Sequence, residues 1–392
     1  MRSFGSWRRL AVAAAVSASF AIGMTVAPAS AASVPGTVID VLPQVDGWRG
    51  TNGSSVVEYW TTGSDGTAQP VSGAVLMPDG PAPAGGWPVL AFAHGSFGLG
   101  PGCGGQSDPA RGPWPERRAI EDGFLRSFLG KGFAVLATDY LGLGRFDTGT
   151  HPYLELKTEA AAIIDLVKAA RSRIPALSKT WMVFGGSQGG QAALGAAYLQ
   201  RTYAPELDFR GSIAIDPESE AENLLPMAGP WGPDLPSFIG DALNVFFTSV
   251  LAGVRVARPD ADIDSFLTPR GREILDAVGS LCQDQIAEVV KGVRISELLA
   301  KPLLDERLHA VLTEYMGVPT HDYTDPILLL FNVTDIAVPA PLHAALVGRL
   351  TASRVEFKTV VGTGQHLQIN HEMRVAIDTF LARVRSAAAG AN

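Results

Sequence analysis

The sequence predicts an α/β fold: a mainly parallel sheet with helices on both faces. Three observations carry that expectation. Short, nearly continuous apolar runs such as Pro88 to Ala93 and Ile327 to Val333 have the composition of strands covered on both sides. From Glu116 onward, helical patterns alternate with such runs, and repeated strand–helix units imply parallel pairing. The third is the segment Trp181 to Gly190, where a β-branched and aromatic run turns through Gly185-Gly186-Ser187-Gln188-Gly189 directly into a small-residue run.

The elements follow in order. Arg2, Arg8 and Arg9 precede an apolar run from Leu10 to Ala21, and Ala29-Ser30-Ala31 follows. This is the layout of a secretory signal peptide, cleaved after Ala31, with Ala32 as the alternative. The run is marginal for a transmembrane span, so no integral membrane segment is expected in the mature chain. From Ser54 to Asp79 two alternating runs flank the turn-rich stretch Gly63 to Gly66 and read as antiparallel strands. Pro88 to Ala93 is a strand ending in His94-Gly95-Ser96. Glu116 to Lys131 is a helix, Phe133 to Ala137 a strand, and Leu154 to Arg173 a long helix. Thr180 to Phe184, Gln188 to Tyr203 and Gly211 to Ile215 read as strand, helix and strand. Ile327 to Val333, Pro341 to Leu350, Val355 to Val361 and Glu372 to Ala388 complete the alternation.

The span from Glu218 to Pro326 interrupts it. Helical patterns at 243–254, 273–278, 284–293 and 303–315 are joined by loops rich in Pro and Gly. An insertion of roughly a hundred residues in this position is read as a helical cap over a site. The expected organisation is a signal peptide at 1–31, a core at 32–217 and 327–392, and a cap at 218–326.

Composition narrows the function. A formal charge of −8, with no basic cluster beyond the N-terminus, argues against a nucleic-acid partner. The seven histidines show no H-E-x-x-H or H-x-x-E-H spacing, so neither a metal nor another cofactor is expected. The two cysteines, Cys103 and Cys282, would pair after export into an oxidising compartment, two buried thiols being the alternative.

The chemistry centres on G-x-S-x-G, which gains meaning from the strand before it and the helix after it. Gly185 and Gly189 remove side chains that would collide with the neighbouring strand or helix. A serine alcohol needs a base, and the base needs an orienting carboxylate, in the chain order serine, acid, histidine. Past Ser187, one strand ends in Asp335 and the next in His366, so these three are the expected triad. Asp216, after the strand that follows the serine helix, is the rival acid, and His371 lies at a helix start. His151, His309, His321 and His343 are read as surface or interhelical residues. The expected oxyanion donors are the backbone N–H groups of Gln188 and Ser96, with Gly95 as the alternative to Ser96. His94 is read as pinning its loop, and Asp139 as bonding nearby backbone.

HGSFGLGPGC, ATDYLGLG, FGGSQGGQAAL, NVTDIAVP and GQHL together resemble the secretory lipase family, the fungal lipase-A-like group of α/β-hydrolases. The resemblance runs from about Val56 to the C-terminus, with the cap only loosely matched. It implies the α/β-hydrolase fold, a Ser187–Asp335–His366 triad, a lidded cap, and hydrolysis of carboxylic esters including acylglycerols. Two departures stand out: His-Gly-Ser replaces the acidic first oxyanion loop of some relatives, and one disulfide is fewer than the fungal enzymes lead one to expect. The expected partner is a small-molecule or lipid ester, with a lipid–water interface as a place where the protein can act. Rival functions are a short-chain carboxylesterase, an acyltransferase, an exopeptidase and a non-catalytic exported binding protein.

Overall fold

A computed structural model describes residues 33–44, 48–231 and 237–390, with backbone alone for 237–239. The predicted signal peptide lies outside the described residues. Nine strands form one sheet: β1 (Val38–Gln44), β2 (Ser54–Thr62), β3 (Ala68–Leu76), β4 (Trp87–Ala93), β5 (Ala134–Thr138), β6 (Leu177–Gly186), β7 (Asp208–Ile215), β8 (Ile327–Asn332) and β9 (Phe357–Gly362). Their order is β1-β2-β3-β5-β4-β6-β7-β8-β9. The pairs from β1 to β5 are antiparallel, and every pair from β5 to β9 is parallel. The expected α/β-hydrolase architecture is present.

Alternation along the strands explains the two-sided cover. On β6, Trp181 and Val183 join the apolar cluster under helices α2 (Leu156–Arg173) and α3 (Gln188–Tyr203). Met182 and Phe184 point to the opposite cluster, with α1 (Pro115–Gly130) and α11 (His371–Gly390). Helix α10 (Ala340–Ala352) packs Leu346 and Leu350 with Leu194 of α3. Both faces of the central strands are therefore apolar, which is why those strands read as continuous runs.

Between β7 and β8 the chain forms α4 (Ala221–Leu224), α5 (Ser237–Ala257), α6 (Pro269–Val278), α7 (Gln283–Val290), α8 (Ile295–Leu298) and α9 (Glu306–Met316). Phe247, Val250 and Leu251 of α5 share one apolar cluster with Leu99, Tyr153 and Leu154 of the sheet's loops. Residues 240–257 are long and apolar enough to cross a membrane, the one such helix among the described residues, yet 56% of that window is buried. Burial in that cluster accounts for its apolarity without a bilayer.

Cys103 and Cys282 are joined, closing a loop of 179 residues. Beside the bond, Leu99 N–H donates to Leu281 O (2.9 Å) and Gln283 N–H to Phe97 O (2.9 Å). A Cβ on Gly98 would stand 2.5 Å from Cys282 Cα, and one on Gly100 would stand 2.1 Å from Ser280 O. Glycine at both positions permits this clasp. Strand β1 and the short helices α4 and α8 were not read in the sequence; β1 lies at the sheet edge with mixed exposure, so its apolar signal is weak.

Candidate active site

Strands β4, β6, β7, β8 and β9 are successive neighbours, and their carboxyl ends carry Ser96, Ser187, Glu218, Asp335 and His366 in loops just beyond. Crowding dictates the serine turn. Ser187 has φ 57°, ψ −124°, a backbone conformation unfavourable for a side chain with a Cβ. Its N–H donates to Ile215 O (2.9 Å), and its carbonyl accepts from Gly190, Gln191 and Glu218. A Cβ on Gly185 would lie 2.0 Å from Gly189 O, and one on Gly189 would lie 2.0 Å from Ala93 O. The two glycines are thus required by packing, as their spacing suggested.

Gln188 opens α3. Its Nε2 donates to Glu159 Oε1 (2.7 Å) and lies 2.8 Å from His151 Nε2. His151 Nδ1 is 2.8 Å from Leu141 O, so the ring donates there and accepts from Gln188. His151 and Glu159 are fully buried behind the serine turn. His151 was read as a surface or interhelical residue; the structure places it buried between Glu159 of α2 and Gln188 of α3, the interhelical alternative. Among the described residues, the backbone N–H groups of Gln188 and Ser96 donate to no protein acceptor. The Ser96 hydroxyl lies 2.7 Å from Tyr153 OH, which holds the loop. His94 contacts Gly95 O (2.7 Å) and Asp139 O (3.2 Å). Burial pushes its imidazole down to about 4, so it is neutral. Asp139 accepts from Gln106 N–H (2.6 Å) and Ser72 Oγ (2.8 Å), bracing the same loop.

Asp335 Oδ2 lies 2.6 Å from His366 Nδ1, and Oδ1 accepts from the Ala337 and Val338 amides. Burial opposes ionisation of Asp335, but His366 and those amides hold its carboxyl below the usual range. Burial also opposes the imidazolium; the carboxyls of Asp335, Glu218 and Asp216 outweigh it and raise His366 above the ordinary value. Asp216 plays a different part from the rival acid weighed above. It accepts from Asn332 N–H (2.7 Å), Asn332 Nδ2 (3.0 Å) and Leu367 N–H (2.7 Å), tying the end of β8 to the histidine loop.

Sequence reasoning missed Glu218. It is buried, its carboxyl interacts with the Ser187 hydroxyl, and it bears electrostatically on His366. Burial lifts it to about 7 despite the nearby imidazole. No hydrogen bond joins Ser187 to His366 directly; Glu218 is the carboxyl whose ionisation both groups favour. Its signal in the sequence was slight, one of four acids from Asp216 to Glu222.

Asp216, Asp335 and His343 bring three potential ligand atoms within 4.8 Å of one another. The oxygens of both carboxylates already accept the hydrogen bonds given above, whereas both ring nitrogens of His343 are buried without a hydrogen-bond partner among the described residues. His343, read as a surface or interhelical residue, is buried on α10, and burial pushes it down to about 4. His371 begins α11, as expected.

The secretory lipase family model matches residues 117–220, from the start of α1 past the serine turn. The fold gives the wider likeness. Candida antarctica lipase A superposes with a TM-score of 0.70 at 17% identity, covering 90% of this chain and 83% of that one. The fold is that of an α/β-hydrolase. A ligand-bound form of the rice cell wall degrading esterase LipA from Xanthomonas oryzae gives 0.67 at 18% identity, covering 90% and 98%. A Legionella pneumophila hydrolase described as putative gives 0.60 at 18%, covering 85% and 88%. No curated protein matches the sequence significantly. In this α/β-hydrolase the family match contains Ser187 and Glu218 but ends before Asp335 and His366.

Proposed function

We propose that the protein is an exported serine hydrolase of carboxylic esters, with Ser187 as nucleophile, His366 as general base and Asp335 as its orienting acid. The observation that carries this reading is the 2.6 Å Asp335–His366 hydrogen bond beyond the ends of β8 and β9, at the same edge of the sheet where Ser187 is held at φ 57°. Neutral His366 takes the Ser187 proton as the oxygen attacks the ester carbonyl. The oxyanion is met by the free backbone N–H groups of Ser96 and Gln188, the latter at the positive end of α3. The intermediate collapses, His366 protonates the leaving alcohol, and the acyl group remains on Ser187. Water then gives up a proton to His366, attacks, and releases the acid.

In this reading the residues between β7 and β8, 218–326, form a cap over the pocket, and segment 1–31 directs export. Exposed Leu224, Met227 and Leu304 lie on joined segments of the insertion, where Leu303 N–H donates to Ala228 O (3.0 Å). They favour an apolar ester or a lipid–water interface over a wholly polar substrate. The test is hydrolysis of p-nitrophenyl esters from acetyl to palmitoyl, with Ser187→Ala beside the wild type. We expect Ser187→Ala to lose at least about a thousandfold in kcat on every ester. Equal rates in the two proteins would refute the assignment, and activity confined to short acyl chains would make the protein an esterase instead of a lipase.

A further inference from the structure

Arg117 and Arg118 are neighbours with different circumstances. Arg118 is spent on structure: its guanidinium donates to the carbonyls of Gly105 (3.0 Å), Cys103 (3.2 Å) and Gly104 (3.3 Å). Arg117 has no hydrogen bond and no ion pair among the described residues. Its guanidinium carbon lies 5.0 Å from the Phe97 ring centroid and 5.3 Å from that of Trp114. Trp114 is itself held at φ 50°, an unfavourable conformation for so bulky a residue. Aromatic faces attract the cation but accept none of its five N–H groups in the plane of the fork. Burial disfavours the charge, with Glu121 and Tyr153 as the groups that offset it.

The place of this cation matters. A Cβ built on Gly95 would lie 3.0 Å from Arg117 Nη2 and 3.7 Å from Ser187 Cβ. Guanidinium and serine therefore flank one glycine that has no side chain to separate them. Glu121 acts on Arg117 by charge alone, without a hydrogen bond, and Glu218 does not pair with it either: Glu218 bears on Ser187 and His366, and Arg117 is not among the groups that act on it. A half-buried fork of donors without a protein acceptor, on the same glycine as Ser187, matches a planar anion supplied by the substrate.

We propose that Arg117 recognises a carboxylate on the substrate, so that the preferred esters carry an anionic group close to the scissile carbonyl. This rests on the serine-hydrolase reading. The carboxylate can belong to the acid part, as in a half-ester of a dicarboxylic acid, or to the alcohol part, as in an ester of a hydroxy acid. Two matched pairs separate these sources. In the first, p-nitrophenyl hexanoate is compared with the mono-p-nitrophenyl ester of adipic acid. In the second, p-nitrophenyl butyrate is compared with the butyrate of a hydroxynitrobenzoic acid.

The readout is the anionic-to-neutral ratio of kcat/KM, taken within each variant so that a general loss of activity cancels. We expect Arg117→Gln to lower that ratio about tenfold or more in one of the two pairs, with Arg117→Lys intermediate. In the wild type, rising salt should slow the anionic member of that pair more than the neutral one, which tests the idea even if the variants fold poorly. Ratios that stay within about threefold in both pairs, or a wild-type salt response shared by both members, would overturn it. Turnover that survives Ser187→Ala would instead overturn the underlying reaction, and the two failures cannot be confused.

Discussion

Two carboxyl groups bear on one imidazole, and they do so differently. Asp335 grips His366 through a hydrogen bond, whereas Glu218 acts on the histidine by charge. Each raises the affinity of His366 for a proton. A base must be neutral to accept the serine proton, so activity should fall as pH drops through the value of His366, which is raised from that of an ordinary imidazole. Replacing Glu218 by Gln removes a charge that favours the imidazolium. The acid limb of the kcat/KM profile should therefore move to lower pH, measured on a neutral ester. A limb that stays in place would mean that Glu218 acts on the serine alone. Asp216→Asn addresses a different property. It leaves the amides of Asn332 and Leu367 facing a weaker acceptor, and should destabilise the fold by about 1–3 kcal/mol in denaturant titrations.

At the scale of elements, the clasp between the loop after β4 and the start of α7 joins the insertion to the segment that carries Ser96. Removing the disulfide with Cys103→Ser and Cys282→Ser should cost about 2–5 kcal/mol of stability. Activity should fall with it, because the Ser96 loop loses its tether. Unfolding by urea with and without reductant, beside the double mutant, measures the first; ester hydrolysis measures the second. Retained stability in the double mutant would assign the clasp to the backbone bonds of 97–99 with 281–283. The sequence made these elements unequally legible. The strands β4 to β9 and helix α3 stood out because two-sided burial and close helix–sheet packing leave strong patterns, and the Gly185-x-Ser187-x-Gly189 spacing has a steric cause. Glu218, His151 and Arg117 did not stand out, since their roles come from neighbours brought in by β4, α2 and β7. No local pattern announces a partner that lies far along the chain.

For the whole molecule, the cluster shared by Leu99, Tyr153, Leu154 and the helices of the insertion decides how the protein melts. Residues 33–392 form one compact unit, and the apolar surface of the insertion has no second core to retreat to. Calorimetry should therefore show one cooperative transition, with the calorimetric and van't Hoff enthalpies in agreement. Two resolved transitions would show that the insertion folds as a separate domain. Replacing residues 221–325 by a short linker should yield an aggregating chain, since it uncovers that cluster on the sheet side.

The order of synthesis gives the cysteine pair another meaning. Cys103 leaves the ribosome long before Cys282, and with only two cysteines in the chain it has no other intramolecular partner to choose. A nascent chain therefore passes through a stage with a single thiol, open to capture by a second molecule, until the far side of the insertion arrives. Production in a host compartment that catalyses disulfide exchange should favour monomer, and hurried secretion should leave covalent dimers linked through Cys103.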